Sequence, residues 1–156
     1  MLVYRICRAE FATNLNASGF AGRWNQEGQK VLYTSATRSL AALEHLANRS
    51  GIVVKSPYRV MVLEVPSEGV VQVEADAIRS VFISELPVDW RRLSFYGRLQ
   101  EIGASWYRSS ESLLLRVPSV LIPQECNYLI NTQHPDFGER VRMVEVEEFD
   151  WDTRLI

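Results

Sequence analysis

The hydrophobic positions of this chain fall into short runs, most of them too brief for anything but strands. Leu2 to Cys7 reads as a first strand and Lys30 to Ser35 as a short β-prone run. Tyr58 to Val65 alternates apolar and polar residues and stops at Pro66. Leu113 to Val117, Asn127 to Asn131 and Val141 to Phe149 complete a set of six or seven strands. In the last of these, Val144-Glu145-Val146-Glu147 puts one face toward a core and one toward water. Two segments carry the helical period. One is capped by Ser35 or Thr37, runs to about Arg49 and is stopped by Ser50-Gly51. The other runs from Trp90 to Ile102, with Leu93, Tyr96, Leu99 and Ile102 on one face and Gly103 after them. Asn14 to Gly28 is rich in turn and breaker residues and reads as a loop, while Ala75 to Leu86 is mixed. Strands and helices do not alternate as βαβ units, so the expected class is α+β.

Length and composition narrow this further. With 156 residues, 47% hydrophobic and 23% charged, the chain is expected to form one globular domain over residues 1–156. Its longest apolar runs, Leu113 to Leu115 and Ile52 to Val54, fall far short of the ~20 residues of a membrane span. The start, Met1-Leu2-Val3-Tyr4-Arg5, has no basic segment followed by an apolar core, so no secretory signal is expected. Cys7 and Cys126 are expected as reduced thiols in a cytoplasmic protein.

The net charge of −2 argues against general nucleic-acid binding, yet the charge is uneven. Residues 1–60 hold eight Lys/Arg against three acids, and residues 61–156 hold nine Arg against sixteen acids. Either this is surface scatter, or an anionic ligand binds the first part.

Signatures of common chemistry are absent: there is no GxGxxG after a strand, no P-loop, no HExxH and no CxxC. His45 and His134 lack partners at metal-ligand spacing, so no metal is expected. Four features stand out. Gly22-Arg23-Trp24-Asn25 with Gly28 is either an arginine poised to fork onto a phosphate or a surface turn with its Trp on the core. Tyr33, between strand and helix, is either a pocket wall for a planar ring or a core residue. Glu44 lies about 40° from Leu40 on a helical wheel, at the edge of the apolar stripe, where a carboxylate is either an ordinary boundary residue or drawn inward for a function. Ser119 follows an apolar strand and Pro118, a place that faces a cleft. The Asn residues of Asn127-Tyr128-Leu129-Ile130-Asn131 read equally as turn residues.

Taken together, Tyr4-Arg5, Gly22-Arg23-Trp24-Asn25, Val31-Leu32-Tyr33-Thr34, Ser39-Leu40-Ala41 with Glu44, Val117-Pro118-Ser119, Asn127 to Asn131 and His134-Pro135 resemble the RES domain, the toxin half of a bacterial toxin–antitoxin pair. The match spans nearly the whole chain and is loose over about Ser67 to Ser110. The resemblance implies a fold like that of ADP-ribosyltransferases, with split mixed sheets and short helices around an NAD cleft. It implies a toxin that cleaves the nicotinamide–ribose bond of NAD+ by hydrolysis or phosphorolysis, or else transfers ADP-ribose to a protein. It implies Glu44, Arg23 and Tyr33 as catalytic residues, with Glu44 stabilising positive charge developing on the ribose. Arg23 would grip the pyrophosphate, Tyr33 would wall the nicotinamide, Ser119 would hydrogen-bond nicotinamide or its ribose, and Asn25 and Asn131 would also hold NAD. The implied partner is an antitoxin with a helix-turn-helix domain that covers the cleft, in a complex compatible with a toxin homodimer, with no direct nucleic-acid contact and no membrane. Two other classes stand beside this: a ribonuclease toxin, to which the net negative charge is poorly suited, and a catalytically dead binding module.

Overall fold

The computed structural model describes residues 1–48, 56–67 and 78–155. Among them, β1 (Leu2–Arg8), β2 (Val31–Ser35), β3 (Tyr58–Glu64), β4 (Ile78–Ser80), β5 (Leu114–Pro118), β6 (Cys126–Asn131) and β7 (Arg142–Phe149) form one sheet in the order β4-β5-β6-β2-β1-β3-β7. The β4–β5 pair is parallel and the other pairs are antiparallel. Three helices, α1 (Arg38–Ala47), α2 (Tyr96–Ser109) and the short α3 (Phe137–Arg140), complete the α+β architecture. The expected helix stop at Ser50-Gly51, the Ile52 to Val54 run and the start of the Ala75 to Leu86 stretch lie outside the described residues.

The strands form where the sequence is densest in apolar residues. Leu113, Leu114 and Leu115 are all fully buried, as in a strand covered on both faces. The sheet is weakest at its middle. β1 runs alongside β3 over its whole length, but meets β2 only where Tyr4 stands opposite Ser35. Two strand groups result, β4-β5-β6-β2 and β1-β3-β7, parted between β1 and β2. Through the register Tyr4–Ser35, Tyr33–Leu129 and Ser35–Asn127, these side chains share one face of the sheet. Both longer helices cover that face. α1 buries Ala41 against Ile6, Tyr58, Val60 and Val62, while α2 buries Leu99 and Trp106 with Trp24, Leu115 and Leu129. The opposite face packs Val3, Leu32, Met61, Leu63, Leu114 and Ile130.

Thr37 is the cap of α1, its side chain accepting the Leu40 N–H at 3.1 Å. Replacing such a cap with alanine costs about 1 kcal/mol. α2 departs from the sequence expectation: it begins at Tyr96, not Trp90, and passes through Gly103 to Ser109. Residues 90–95 instead form tight turns, with Trp90 N–H bonded to Pro87 O and Phe95 N–H to Arg92 O, and Leu93 is 80% exposed. Gly103 does not stop the helix because its missing side chain has a tertiary use. A Cβ there would stand 1.7 Å from the Trp24 carbonyl oxygen, so glycine is what lets α2 meet that backbone. The helix ends at Ser110, whose φ of 50° is the left-handed turn that halts it. Cys7 and Cys126 are both free thiols. No helix among the described residues is long and apolar enough to cross a membrane.

Candidate functional site

A cavity of about 820 Å³ lies over the parting of β1 and β2, walled by the residue 18–24 loop and Tyr96 on one side and by α1 on the other. That volume lies within the range of small-molecule sites. Arg23, Tyr33 and Glu44 all line it, although they come from a loop, a strand and a helix.

The Arg23 loop is fixed through its backbone. The Tyr33 hydroxyl accepts the Trp24 N–H at 3.1 Å and donates to Asn25 Oδ1 at 2.7 Å. From α2, Gln100 Nε2 donates to the Gly22 and Asn25 carbonyls. Gly22 allows this closeness, since a Cβ there would stand 2.6 Å from the Tyr33 oxygen. Burial, first of all, pushes the Tyr33 phenol far above its ordinary range, so it remains a neutral hydrogen-bonding group. Held this way, Arg23 sets its guanidinium over the Tyr96 ring, 5.3 Å from the centroid, with a buried Nη1 that has no hydrogen-bond partner. Arg5 on β1 also lines the cavity, half-buried and with no hydrogen bond or ion pair to the described residues. Burial lowers its guanidinium from the ordinary value, and neighbouring Cys7 opposes this. A desolvated cation without a counter-charge is costly, and an anion in the cavity would relieve both arginines.

Glu44 is held from the opposite side. Its Oε1 accepts Ser119 Oγ–H and Asn127 Nδ2–H, each at 2.7 Å. Oε2 has no partner among the described residues. Ser119 itself is fully buried and lines no part of the cavity: it stands behind the carboxylate. Asn25 and Asn131, expected to hold NAD, are likewise outside the cavity lining. Asn25 is 1% exposed, its amide nitrogen donating to the Phe20, Gln26 and Gln29 carbonyls. Asn131 is fully buried, bonded to Tyr107 O and the Gln133 N–H. The arrangement brings Arg23, Tyr33 and Glu44 to one space and places the two asparagines in the scaffold.

The sequence alone assigns no role in the site to Arg5, Ser35, Tyr96 or Asn127, though all four line the cavity. Arg5 carried a usable signal, a charge in the middle of an apolar strand. Ser35 and Asn127 mark the polar ends of apolar strands, which nothing local separates from ordinary turn residues. Phe20, 74% exposed, and Leu121 give the cavity lining an apolar, solvent-facing part. Among the described residues, no group of three or more His, Cys, Asp or Glu is placed to hold a metal ion.

Comparison with known proteins gives a consistent family. The profile of the RES domain matches residues 2–152. "Toxin Res" of Yersinia enterocolitica is 29% identical over 99% of this chain and 99% of its own. The "Prs ADP-ribosylating toxin" of a Sphingobium species is 33% identical over 97% of this chain and 91% of its own. Among solved structures, the MbcT–MbcA toxin–antitoxin complex of M. tuberculosis contains a chain with a TM-score of 0.70. It covers 96% of this chain and 84% of that one at 14% identity, which is a likeness of fold.

Proposed function

The chain belongs to the RES-domain family, and from that premise we propose that it is the toxin of a toxin–antitoxin pair that cleaves the nicotinamide–ribose bond of NAD+. One observation carries the reading: Arg23, with a buried nitrogen that has no hydrogen-bond partner, and Glu44, with one oxygen free of partners among the described residues, line the same cavity, which Arg5 lines as well. A dinucleotide has the complementary chemistry, an anionic pyrophosphate joined to a ribose that becomes cationic as its leaving group departs.

In this reading Arg23 binds the pyrophosphate, helped by Arg5, because a guanidinium forks onto phosphate oxygens. Tyr33 acts on the substrate by holding the Arg23 loop as well as by walling the cavity. Glu44 stabilises positive charge on the ribose through its free oxygen. The C1′–N bond breaks with its electron pair going to the nicotinamide ring nitrogen, which becomes neutral, so no general acid is required. The acceptor's lone pair then bonds C1′, and the acceptor gives up its proton. Ser119 acts behind Glu44, and Asn25 and Asn131 hold the scaffold. The partner is an antitoxin bearing a helix-turn-helix, and the site of action is the cytoplasm.

A second reading, ADP-ribosylation of a protein, is favoured by the name of the Sphingobium relative and by exposed Phe20 in the cavity lining, an apolar contact for a protein acceptor. One experiment separates these. Nicotinamide release is followed with purified protein and NAD+, alone, with phosphate, and with cell lysate, for wild type and Glu44→Gln. Release that Glu44→Gln abolishes is the expected result, and the product (ADP-ribose, its phosphorylated form or labelled protein) identifies the acceptor. Folded wild-type protein that releases no nicotinamide in any tube would overturn the reading.

A further inference from the structure

We infer that Asn127, oriented by Ser35 and acting beside Ser119, is a positioning residue that confines the chemistry of Glu44 to a single oxygen, Oε2. This rests on the reading of Glu44 as the group that acts on the substrate.

Donor and acceptor accounting carries the inference. The Ser119 hydroxyl accepts two backbone N–H groups, from Leu121 and Ile122, each at 3.1 Å. Its only proton is therefore left for Glu44 Oε1, 2.7 Å away. Asn127 presents one polar atom to Glu44 Oε1 and the other to Ser35 Oγ, each at 2.7 Å. Only the amide nitrogen can donate to a carboxylate, so Asn127 Oδ1 takes the Ser35 proton and the amide cannot turn over without breaking both bonds. Oε1 then has both lone pairs filled, and a proton or substrate hydroxyl reaching it would have to expel a donor. Oε2 alone has no partner among the described residues. The strand register builds the network: Ser35 and Asn127 face each other across β2–β6, and Ser119 follows directly on β5, its N–H bonded to Glu125 O. A carboxylate fixed by two donors reaches the transition state without reorganising.

The test is Asn127→Asp, which keeps the shape and the Ser35 bond but replaces the donor with a second carboxyl. A carboxyl pair this close shares one proton. While that proton is held, the carboxyl introduced at position 127 donates to Oε1 as the amide did. When it leaves, the two charges repel and Glu44 turns away. The neighbouring ionisable groups are common to both proteins: Tyr4 and Arg5 on β1, Arg23 in the loop, Tyr33 on β2, His45 on α1, Tyr96 on α2, and Glu125 and Cys126 just before Asn127. A new pH dependence therefore reports residue 127.

Expected results are a kcat for nicotinamide release that falls about 100-fold as pH rises through the pair's ionisation in Asn127→Asp, where wild type shows no such step, with KM for NAD+ changed less than about threefold. Ser119→Ala and Asn127→Ala should each lower kcat about 10- to 100-fold, and the double variant should fall well short of their product, since both serve one oxygen. Alongside, the side-chain carboxyl ¹³C resonance of Glu44 should show in Asn127→Asp a further titration step that wild type lacks. An Asn127→Asp variant with the wild-type pH profile and no further Glu44 step overturns the inference. If wild type releases no nicotinamide, the NAD+ reading is what fails, and the Glu44 resonance decides the positioning network by itself.

Discussion

On the loop side of the cavity, Arg23 is placed through the main chain. Tyr33 and Gln100 bond to backbone groups around it, and α2 comes so close at Gly103 that no side chain fits. The guanidinium itself is left without a hydrogen-bond partner at Nη1. On the helix side the reverse holds. α1 rests on two buried residues, Leu40 and Ala41, and it is the working carboxylate of Glu44 that is gripped, by Ser119 and Asn127. A group that must take up a whole anion keeps its donors free and is positioned from behind. A group that must present charge in one direction has its other direction filled. The loop side should thus fail by losing its place, and the helix side by losing its aim.

The largest effect should come from Gly103→Val. Its side chain meets the Trp24 backbone, which has no rotamer to give, so α2 and the loop are forced apart. We expect a loss of about 3 kcal/mol or more of stability, read by chemical denaturation. Wild-type stability would mean that α2 can shift, and the loop's main-chain fixation would be discarded. Next, Arg23→Ala should leave the fold intact and weaken NAD+ binding about 10- to 100-fold, the value of a charged hydrogen-bonding group. Calorimetric titration showing unchanged affinity would remove the phosphate role. Tyr33→Phe removes both hydrogen bonds to the loop while keeping the ring. It should cost about 1–3 kcal/mol of stability and weaken NAD+ binding less than Arg23→Ala does. An effect on binding larger than that of Arg23→Ala would mean that Tyr33 acts on the substrate directly.

The smallest effect concerns the outer attachment of α1. Arg38 Nε donates to Glu147 on β7 at 2.8 Å, in a solvent-exposed pair that raises the arginine and lowers the carboxyl relative to their ordinary values. Because the folded-state value of Glu147 is the depressed one, its contribution is present above the ordinary carboxyl range and is lost as pH falls through the lowered value. Arg38→Ala should cost under about 1 kcal/mol at neutral pH and low salt, and nothing in high salt. Thermal melts at two salt concentrations check this, and a salt-independent loss would show that Arg38 acts by packing on Tyr4, over whose ring it lies at 4.4 Å.

Features that depend on near neighbours along the chain were legible before any fold was known. The strands at Leu2 to Cys7 and Tyr58 to Val65, a helix cap at Ser35 or Thr37 and the breaker-rich loop around Arg23 are local properties; the structure has strands at Leu2–Arg8 and Tyr58–Glu64 and takes Thr37 as the cap. The edge position of Glu44 on the helix also follows from spacing alone, while spacing leaves its role open between a boundary residue and a functional one. The division between turns and helix at residues 90–109 was not legible, since Gly103 reads as a stop until the Trp24 carbonyl is known to lie against it. Nor was the difference between an asparagine that lines the cavity and two that lie in the scaffold. Asn25, Asn127 and Asn131 are equivalent in sequence, and only the register of β2 with β6 turns Asn127 toward Glu44. Ser119 and Asn127 reach one carboxylate oxygen across 75 and 83 residues of chain. Period and propensity act over a turn or a strand, whereas a hydrogen-bonding partner is chosen by whichever donor the folded sheet brings within about 3 Å.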